Sequence, residues 1–194
     1  MARPRQFDDA SLRAAAMEEF WSRGFEGASV GDIAAASGIG NGSLYAAYGS
    51  KLGLFLLVLE AYCRTRIDLV RSAMATEGSA GAAIRALLDA IIDDCAAQPG
   101  RRGCLMLNSI AEFGERNTEV LELCQATTRD MEAEIERRLA AEVGTGTGDI
   151  GPAYVLAAEI LLVSQGLIQA SRLHAPATEL REIARAYADR LGLD

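Results

Sequence analysis

The sequence predicts an all-α protein of about nine helices, with a three-helix domain over residues 1–51 followed by a helical bundle over residues 52–194. Three observations support this prediction. Apolar residues recur at helical spacing along the 194-residue chain, and no segment alternates β-branched with polar residues as a half-buried strand would. The predicted helices are also short and separated by turns before residue 50 but long afterwards, which indicates a change of domain.

The first helix is predicted to begin at Asp8 or Asp9, because either carboxylate can accept hydrogen bonds from the unpaired N–H groups of a first turn. Apolar residues then recur at every fourth position, from Leu12 to Phe20, and so share one face. We expect Gly24 to end this helix, since glycine is common just past a helix C-terminus.

The next two helices predict a helix-turn-helix. Ser29 can cap a short helix that closes at Ser37-Gly38, and a third helix follows from about Asn41 to Ala47. Ile33 and Ile39 would pack between the two helices, which would leave the second of the pair free to enter a major groove. The same spacing also fits a plain helical hairpin in any bundle, so spacing alone leaves both interpretations open.

Four longer helices follow, each with an apolar stripe. The fourth begins near Leu52 and ends before a polar break at Thr76–Gly81. The fifth covers about Ala82–Ala97, and the sixth runs from Gly103 to about Phe113. The seventh is longer and keeps one inward stripe from Val120 to Leu139.

A glycine-rich linker at Gly144–Gly148 precedes the last two helices. Pro152 fits the first turn of the eighth, which runs to about Leu173 and is apolar on nearly every face. A helix that is apolar all round must be buried, either within one bundle or against a second subunit. Pro176 opens the ninth, whose predicted inward stripe comprises Leu180, Ile183, Ala184, Tyr187 and Leu191.

Composition excludes several classes of protein. The chain is 50% hydrophobic and 24% charged, as a folded globular protein is, rather than poor in apolar residues like a disordered one. The strongly apolar charge-free stretch Ile160–Ser171 is shorter than the roughly 20 apolar residues of a membrane span, so no membrane association is expected. The N-terminus lacks the apolar core of a secretory signal, and we therefore expect a cytoplasmic protein with four reduced thiols.

The start of the third helix offers small polar side chains on its predicted outer face. Asn41, Gly42 and Ser43 precede Tyr45 there. Glycine permits close backbone approach, whereas asparagine and serine can contact base edges or phosphates. Lys51, the only lysine of the chain, begins the next helix and can pair with a phosphate. These residues are therefore candidates for contact with double-stranded DNA.

Residues 3–51 resemble the N-terminal domain of the tetracycline-repressor (TetR) family. The resemblance lies, in chain order, in Gly24-Phe25, Ser29–Ala34, Gly38-Ile39, Gly42–Tyr45 and Tyr48–Lys51. It implies a homodimeric transcription regulator, usually a repressor, that binds a palindromic operator and is released by a small effector. By this resemblance, Ser29, Tyr45 and Lys51 would hold phosphates, Ser43 and Tyr48 would lie at or beside the DNA, and Arg3 and Arg5 would form a basic arm.

Two positions depart from the commonest pattern of that family. Gly40-Asn41 stands where a serine or threonine and a basic residue are frequent, and Ala46-Ala47 stands where a histidine or asparagine often precedes the aromatic residue. Fewer polar groups would then face the groove, so the family pattern does not indicate which operator is read.

The segment Arg102–Asn108 resembles a Gly-Cys-Leu stretch in the subgroup of the family that includes the N-ethylmaleimide-responsive repressor, where the cysteine answers electrophiles and oxidants. We expect Cys104 to lie in the first turn of the sixth helix, where the helix dipole and the preceding Arg101 and Arg102 would favour its thiolate. Cysteine is also among the most frequently buried residue types, so a packing role fits as well. The lysine associated with thiol sensing in that relative has no counterpart here.

The second half of the chain is expected to hold an effector pocket and the dimer surface. By the resemblance, the last two helices would form a four-helix interface with a second subunit. The effector would be a small molecule or an electrophile. Residues that could line its pocket, each of which also fits a plain core, are Tyr62, Met106, Ile110, Phe113 and Met131.

No catalytic, metal or cofactor site is predicted. The single histidine, His174, has no nucleophile motif beside it, and no glycine-rich loop joins a strand to a helix. Cys63, Cys95 and Cys124 fit apolar helix faces, and no Cys-x-x-Cys pair indicates a metal. The alternative to a DNA-binding regulator is a helical ligand- or thiol-responsive module that does not bind DNA.

The net charge of −8 argues at first against nucleic acid. Residues 1–51, however, carry five basic and six acidic side chains, a net charge of −1, whereas residues 52–194 carry −7. The acidity therefore belongs to the predicted bundle, and the three-helix domain is near neutral. We expect few phosphate contacts per subunit and a shallow salt dependence of DNA binding.

Overall fold

The computed structural model describes residues 9–143 and 152–193, where the regular secondary structure is helical. Short 3-10 turns at Pro99–Arg101 and Gly114–Arg116 lie on either side of the sixth helix. The all-α prediction is confirmed for this part of the chain, whereas Arg3, Arg5 and the linker Gly144–Gly148 lie outside it. The nine α-helices of the described residues are α1 (Asp9–Gly27), α2 (Val30–Ser37), α3 (Asn41–Tyr48), α4 (Lys51–Met74), α5 (Ala80–Ala97), α6 (Leu105–Phe113), α7 (Thr118–Val143), α8 (Ala153–Arg172) and α9 (Ala177–Arg190).

The described helices form two compact units. The first contains residues up to 62 together with residues 105–121, so α6 belongs with the N-terminal helices. In this unit α1 packs against α2 and α6, and α2 packs against α3. The second contains residues 63–104 and those from 122 onwards, and in it α5 packs against α8 and α9. The predicted domain boundary after residue 51 stays a prediction, because this division describes packing and not independent folding.

Aromatic rings form much of the core of the first unit. Phe20 of α1 meets Phe55 of α4 edge-on, with ring centroids 5.1 Å apart. Phe25 lies 5.3 Å from Phe55 and 5.0 Å from Phe113 of α6. Edge-on and tilted ring pairs suit the charge distribution of aromatic rings and add to the free energy gained by burial. Leu44 is fully buried and holds α3 to the unit by one face.

The predicted ends of α2 are confirmed, whereas α1 does not end at Gly24 as predicted. Gly24 breaks α1 with a φ of 71°, although a further helical turn continues to Gly27. The Ser29 hydroxyl caps α2 by accepting the N–H of Asp32 at 3.1 Å. Gly38 ends α2 in the left-handed conformation, with φ 69° and ψ 21°.

Two predictions about the second half need correction. Cys104 precedes α6 instead of lying in its first turn, because Gly103 has a φ of 76° and the helix begins only at Leu105. Ile183, predicted on the inward stripe of α9, is 48% exposed. The inward face of α9 is narrower than predicted and includes Leu180 and Ala184, whereas Ile183, next to Ala184 in sequence, points outward.

α8 is apolar on nearly every face, but only part of its surface is buried. Leu156, Ile160 and Leu167 are buried, whereas Leu162 is 66% and Leu173 77% exposed. By length and apolar composition alone, α8 could cross a membrane. The sequence does not predict this when only the charge-free residues are considered. About a third of the apolar part of α8 is buried within the chain. Apolar core helices of soluble proteins have the same composition. Among the described residues, α3 and α4 reach that length and apolar composition only when taken together, and the two helices are bent by 68° relative to each other.

Candidate nucleic-acid interface

The first turn of α3 is exposed, as the sequence predicted. Asn41, Gly42 and Ser43 all face outward, and Tyr45 is 48% exposed. The turn closes on Gly40, whose carbonyl accepts the Ser43 N–H at 3.0 Å, and Gly40 has no side chain with which to cap the helix. The N-terminal N–H groups of α3 therefore carry no side-chain cap, an arrangement suited to an anion such as a phosphate.

Tyr48 joins α3 to α1. Its hydroxyl donates a hydrogen bond to the carboxylate of Asp9, which also accepts the Arg13 Nε–H at 2.7 Å. Burial raises the pKa of Tyr48, and the hydrogen bond to Asp9 raises it further. The side chain is half-buried, so Tyr48 fixes the C-terminal end of α3 at the edge of the predicted DNA-facing surface.

Ser29 caps the start of α2 and makes hydrogen bonds through both its backbone and its side chain. Its N–H donates to a carboxylate oxygen of Glu19 at 3.0 Å, while its Oγ accepts the Asp32 N–H. A hydroxyl that accepts one hydrogen bond still has its own proton to donate. Ser29 can therefore cap α2 and contact a phosphate at the same time.

Lys51, at the start of α4, contacts the turn between α1 and α2. Its Nζ donates to the carbonyl of Glu26 at 3.3 Å and lies 4.8 Å from the centre of the Phe25 ring. The ring attracts the cation, and an ammonium group has three donors, so one bond to a carbonyl leaves others for a phosphate.

Two residues to which the sequence assigns no role, Ser50 and Gly53, fix the turn between α3 and α4. Ser50 accepts the N–H of Gly53 at 3.0 Å and so caps α4. A Cβ added at Gly53 would lie 2.3 Å from the carbonyl oxygen of Tyr48, which no side chain could tolerate without a backbone shift. The serine three positions before Gly53 is a recognisable cap signal, but the close backbone approach leaves no local pattern.

The residues predicted to line an effector pocket are divided between the two units. Tyr62 packs edge-on against Trp21 with centroids 5.0 Å apart, and Phe113 belongs to the aromatic core. These contacts agree with the plain-core interpretation of both residues. The first unit contains Tyr62, Met106, Ile110 and Phe113, and the second contains Cys104 and Met131.

Cys104 lies in a tightly held segment of the second unit and is 7% exposed. The guanidinium of Arg101 donates to the carbonyl of Ala175 at 2.7 Å, which ties the segment to the turn between α8 and α9. A Cβ added at Gly103 would lie 2.6 Å from Cδ of Arg172, so the α8 side chain packs directly on this glycine. Arg101, one of the two arginines that precede Cys104 in sequence, is thus engaged with a backbone carbonyl.

The other three thiols are buried, as predicted for packing residues. Burial raises the pKa of Cys95 to about 11, with further contributions from Asp94 and Cys104. Burial, together with Cys63 and Cys104, raises the pKa of Cys124 to about 12. His174 is exposed. Within residues 9–143 and 152–193 no group of three metal-ligating side chains is close enough to hold an ion.

Two family models match most of the chain. A model described as bacterial regulatory proteins of the tetR family matches residues 12–58, which include α2, α3 and the start of α4. A model described as the tetracyclin repressor-like C-terminal domain matches residues 80–187.

Individual relatives agree with these models. The chain is 26% identical over 186 residues to the HTH-type transcriptional repressor ComR of Escherichia coli, covering 94% of this chain and 88% of ComR. It is 28% identical over 132 residues to the HTH-type regulator YezE of Bacillus subtilis, covering 68% of each chain. A solved structure of a cysteine mutant of the regulator CifR, complexed with 26-bp double-strand operator DNA, superposes with a TM-score of 0.75 at 28% identity and covers 97% of both chains.

Proposed function

This chain belongs to the TetR family of bacterial transcriptional regulators, and from that premise we propose that it is a repressor that binds a palindromic operator as a homodimer. The observation that carries the proposal is the exposed first turn of α3, where Asn41, Gly42 and Ser43 face outward while Leu44 is fully buried. ComR is named a repressor, and CifR is solved with operator DNA. The named relatives are transcriptional regulators, so the open question is which kind of regulator this chain is.

We assign the contacts by their chemistry. Asn41 and Ser43, in the first turn of α3, would contact base edges in the major groove. Ser29, Tyr45 and Lys51 would hold phosphates around the helix. Arg3 and Arg5 would reach the DNA as a basic arm, and the hydroxyl of Tyr48 would support α3 beside the DNA through Asp9.

Homodimerisation through α8 and α9 is supported by the apolar residues that one chain leaves exposed. Val155, Leu162 and Leu173 recur at spacings that place them on one side of α8. Ile183 adds an exposed apolar side chain on α9. A second copy of the same surface would cover these residues and would place two α3 helices on one palindromic site.

We further propose that a small effector releases the repressor from its operator. Modification of the Cys104 thiol is a second proposed route of release. Support for the thiol route comes from the segment that resembles the electrophile-responsive subgroup and from the position of Cys104 directly before α6. The same thiol contributes to the raised pKa of both Cys95 and Cys124, which makes Cys104 their shared neighbour.

The interface is tested with the full-length protein and a fluorescent DNA fragment from upstream of its own gene. Asn41→Ala should weaken specific binding and relax discrimination between base changes in one half-site, because it removes a base contact worth about 1–3 kcal/mol. Lys51→Met should weaken binding to all sequences and lower the salt slope by about two per dimer, since one cation is lost from each subunit.

Arg129→Met is the matched control for the loss of one positive charge, because Arg129 is exposed on α7, far along the chain from α3. It should leave the affinity and the salt slope unchanged. If Asn41→Ala and Lys51→Met bind as the control does, the assigned interface is wrong. If the wild type forms no specific complex, the alternative of a responsive module without DNA binding takes its place.

A further inference from the structure

Glu112 of α6 holds the turn that joins α1 to α2. Its two carboxylate oxygens accept the backbone N–H of Phe25 at 2.8 Å and that of Glu26 at 2.9 Å. Both residues directly follow Gly24, where α1 breaks, so they begin a new helical turn whose first N–H groups have no carbonyl one turn back. A carboxylate on two such groups makes charge-assisted hydrogen bonds, which are stronger than bonds between neutral groups.

Both Gly24 in the turn and residues at the end of α6 favour the contact between Glu112 and the turn. Gly24 has a φ of 71°, and a Cβ there would lie 2.9 Å from the nearer carboxylate oxygen of Glu112, so glycine permits the close approach. On the other side, Phe113 packs its ring 5.0 Å from that of Phe25. Arg116 donates to the carbonyls of Glu112 and, at 3.2 Å, of Phe113, which steadies the end of α6.

The turn held by Glu112 carries two of the predicted phosphate contacts. Lys51 donates to the carbonyl of Glu26, the residue whose N–H Glu112 accepts. Ser29, the cap of α2, follows three residues later and is fixed by Glu19. The position of both side chains therefore depends on the path of the backbone from Gly24 to Ser29.

We propose that Glu112 is a positioning residue for operator binding, which fixes the turn between α1 and α2 so that Ser29 and Lys51 meet the DNA backbone. The inference rests on the proposed function, because it concerns binding to an operator. It also means that the DNA-reading unit is not complete within residues 1–51, since α6 supplies a carboxylate on which the unit depends.

The test compares Glu112→Gln with Glu115→Gln in the full-length protein. The first variant keeps the size of the side chain but turns one accepting oxygen into an NH₂ group that faces a backbone N–H. Operator affinity should fall about ten-fold, as expected when a charge-assisted hydrogen bond is lost. Glu115 is exposed in the next turn, so Glu115→Gln makes the same charge change and should bind as the wild type does.

Two further measurements separate positioning from general stability. Amide exchange followed by NMR should accelerate at Phe25 and Glu26 in Glu112→Gln and not in Glu115→Gln. A double-mutant cycle with Ser29→Ala should be non-additive, because Glu112 acts through the placement of Ser29. A lowered melting temperature with additive effects on affinity would overturn the proposal.

Other outcomes are equally decisive. If Glu112→Gln does not fold, exchange in the wild type decides, since unprotected amides at Phe25 and Glu26 would show that the two hydrogen bonds do not form. If the wild type shows protected amides but no operator binding, the proposed function fails and the positioning role fails with it, whereas equal affinity of the two glutamine variants refutes the positioning role alone.

Discussion

At the scale of single residues, the candidate interface is set by side chains that end one helix and begin the next. Ser29 and Ser50 cap α2 and α4, and Gly24, Gly38 and Gly53 allow the turns between. The serine caps and the glycines that interrupt or end a helix, Gly24 and Gly38, can be predicted because they act within three or four residues of themselves. The bonds from Glu112 to Phe25 and Glu26 could not, because 87 and 86 residues separate the partners and no local pattern records them.

The four thiols should react with N-ethylmaleimide in an order set by their surroundings. Cys104 should be modified first, because it lies in the segment directly before α6 and follows Arg101 and Arg102 in sequence. Cys95 and Cys124 should stay unmodified in the folded protein at pH 7.5, since pKa values raised to about 11 and about 12 leave almost no reactive thiolate. Raising the pH towards 11 should expose Cys95 to modification before Cys124. Peptide mass spectrometry at timed intervals measures the order.

The thiol route of release predicts that operator binding is lost at the rate at which Cys104 is modified. Cys104→Ser should keep its binding under the same treatment, whereas the matched variant Cys124→Ser should lose it as the wild type does. Equal loss in the wild type and in Cys104→Ser would remove Cys104 as a sensor and leave it a packing residue.

At the scale of helices, the sequence predicted which segments are helical better than which faces they bury. Each apolar stripe follows from spacing alone, and the stripe of α7 lies inward as expected, from Val120 to Leu139. The rotation of α8 and α9 depends on packing with α5, which spacing does not encode. For this reason the spacing predicts Ile183 on the inward face of α9 although it is exposed, and it does not indicate that the side of α8 with Leu162 is exposed.

A charge on the exposed side of α8 should separate the dimer. Leu162→Asp should give a protein of half the wild-type mass by light scattering, because an unpaired carboxylate buried against apolar side chains costs several kcal/mol. Operator binding should fall with it, since a palindrome needs two copies of α3. Thr76→Asp, in the exposed loop after α4, adds the same charge and should remain dimeric. A dimeric Leu162→Asp would show that α8 does not form the interface.

At the scale of the whole molecule, charge is distributed so that an acidic protein can still bind DNA. The net charge of −8 is almost entirely that of residues 52–194, and the first 51 residues carry −1. Net charge governs non-specific attraction, whereas reading a sequence depends on a few placed groups. The three cations expected to meet phosphates in each subunit are Lys51 and the two arginines of the arm.

The most direct test of this account is a salt titration of the wild-type protein on DNA from upstream of its own gene, followed by fluorescence anisotropy with non-specific competitor present. The account predicts a competitor-resistant complex of two chains per site, with a slope of log affinity against log salt of about −5 for six cations per dimer. No specific complex at any salt concentration, or binding that the competitor removes completely, would contradict it.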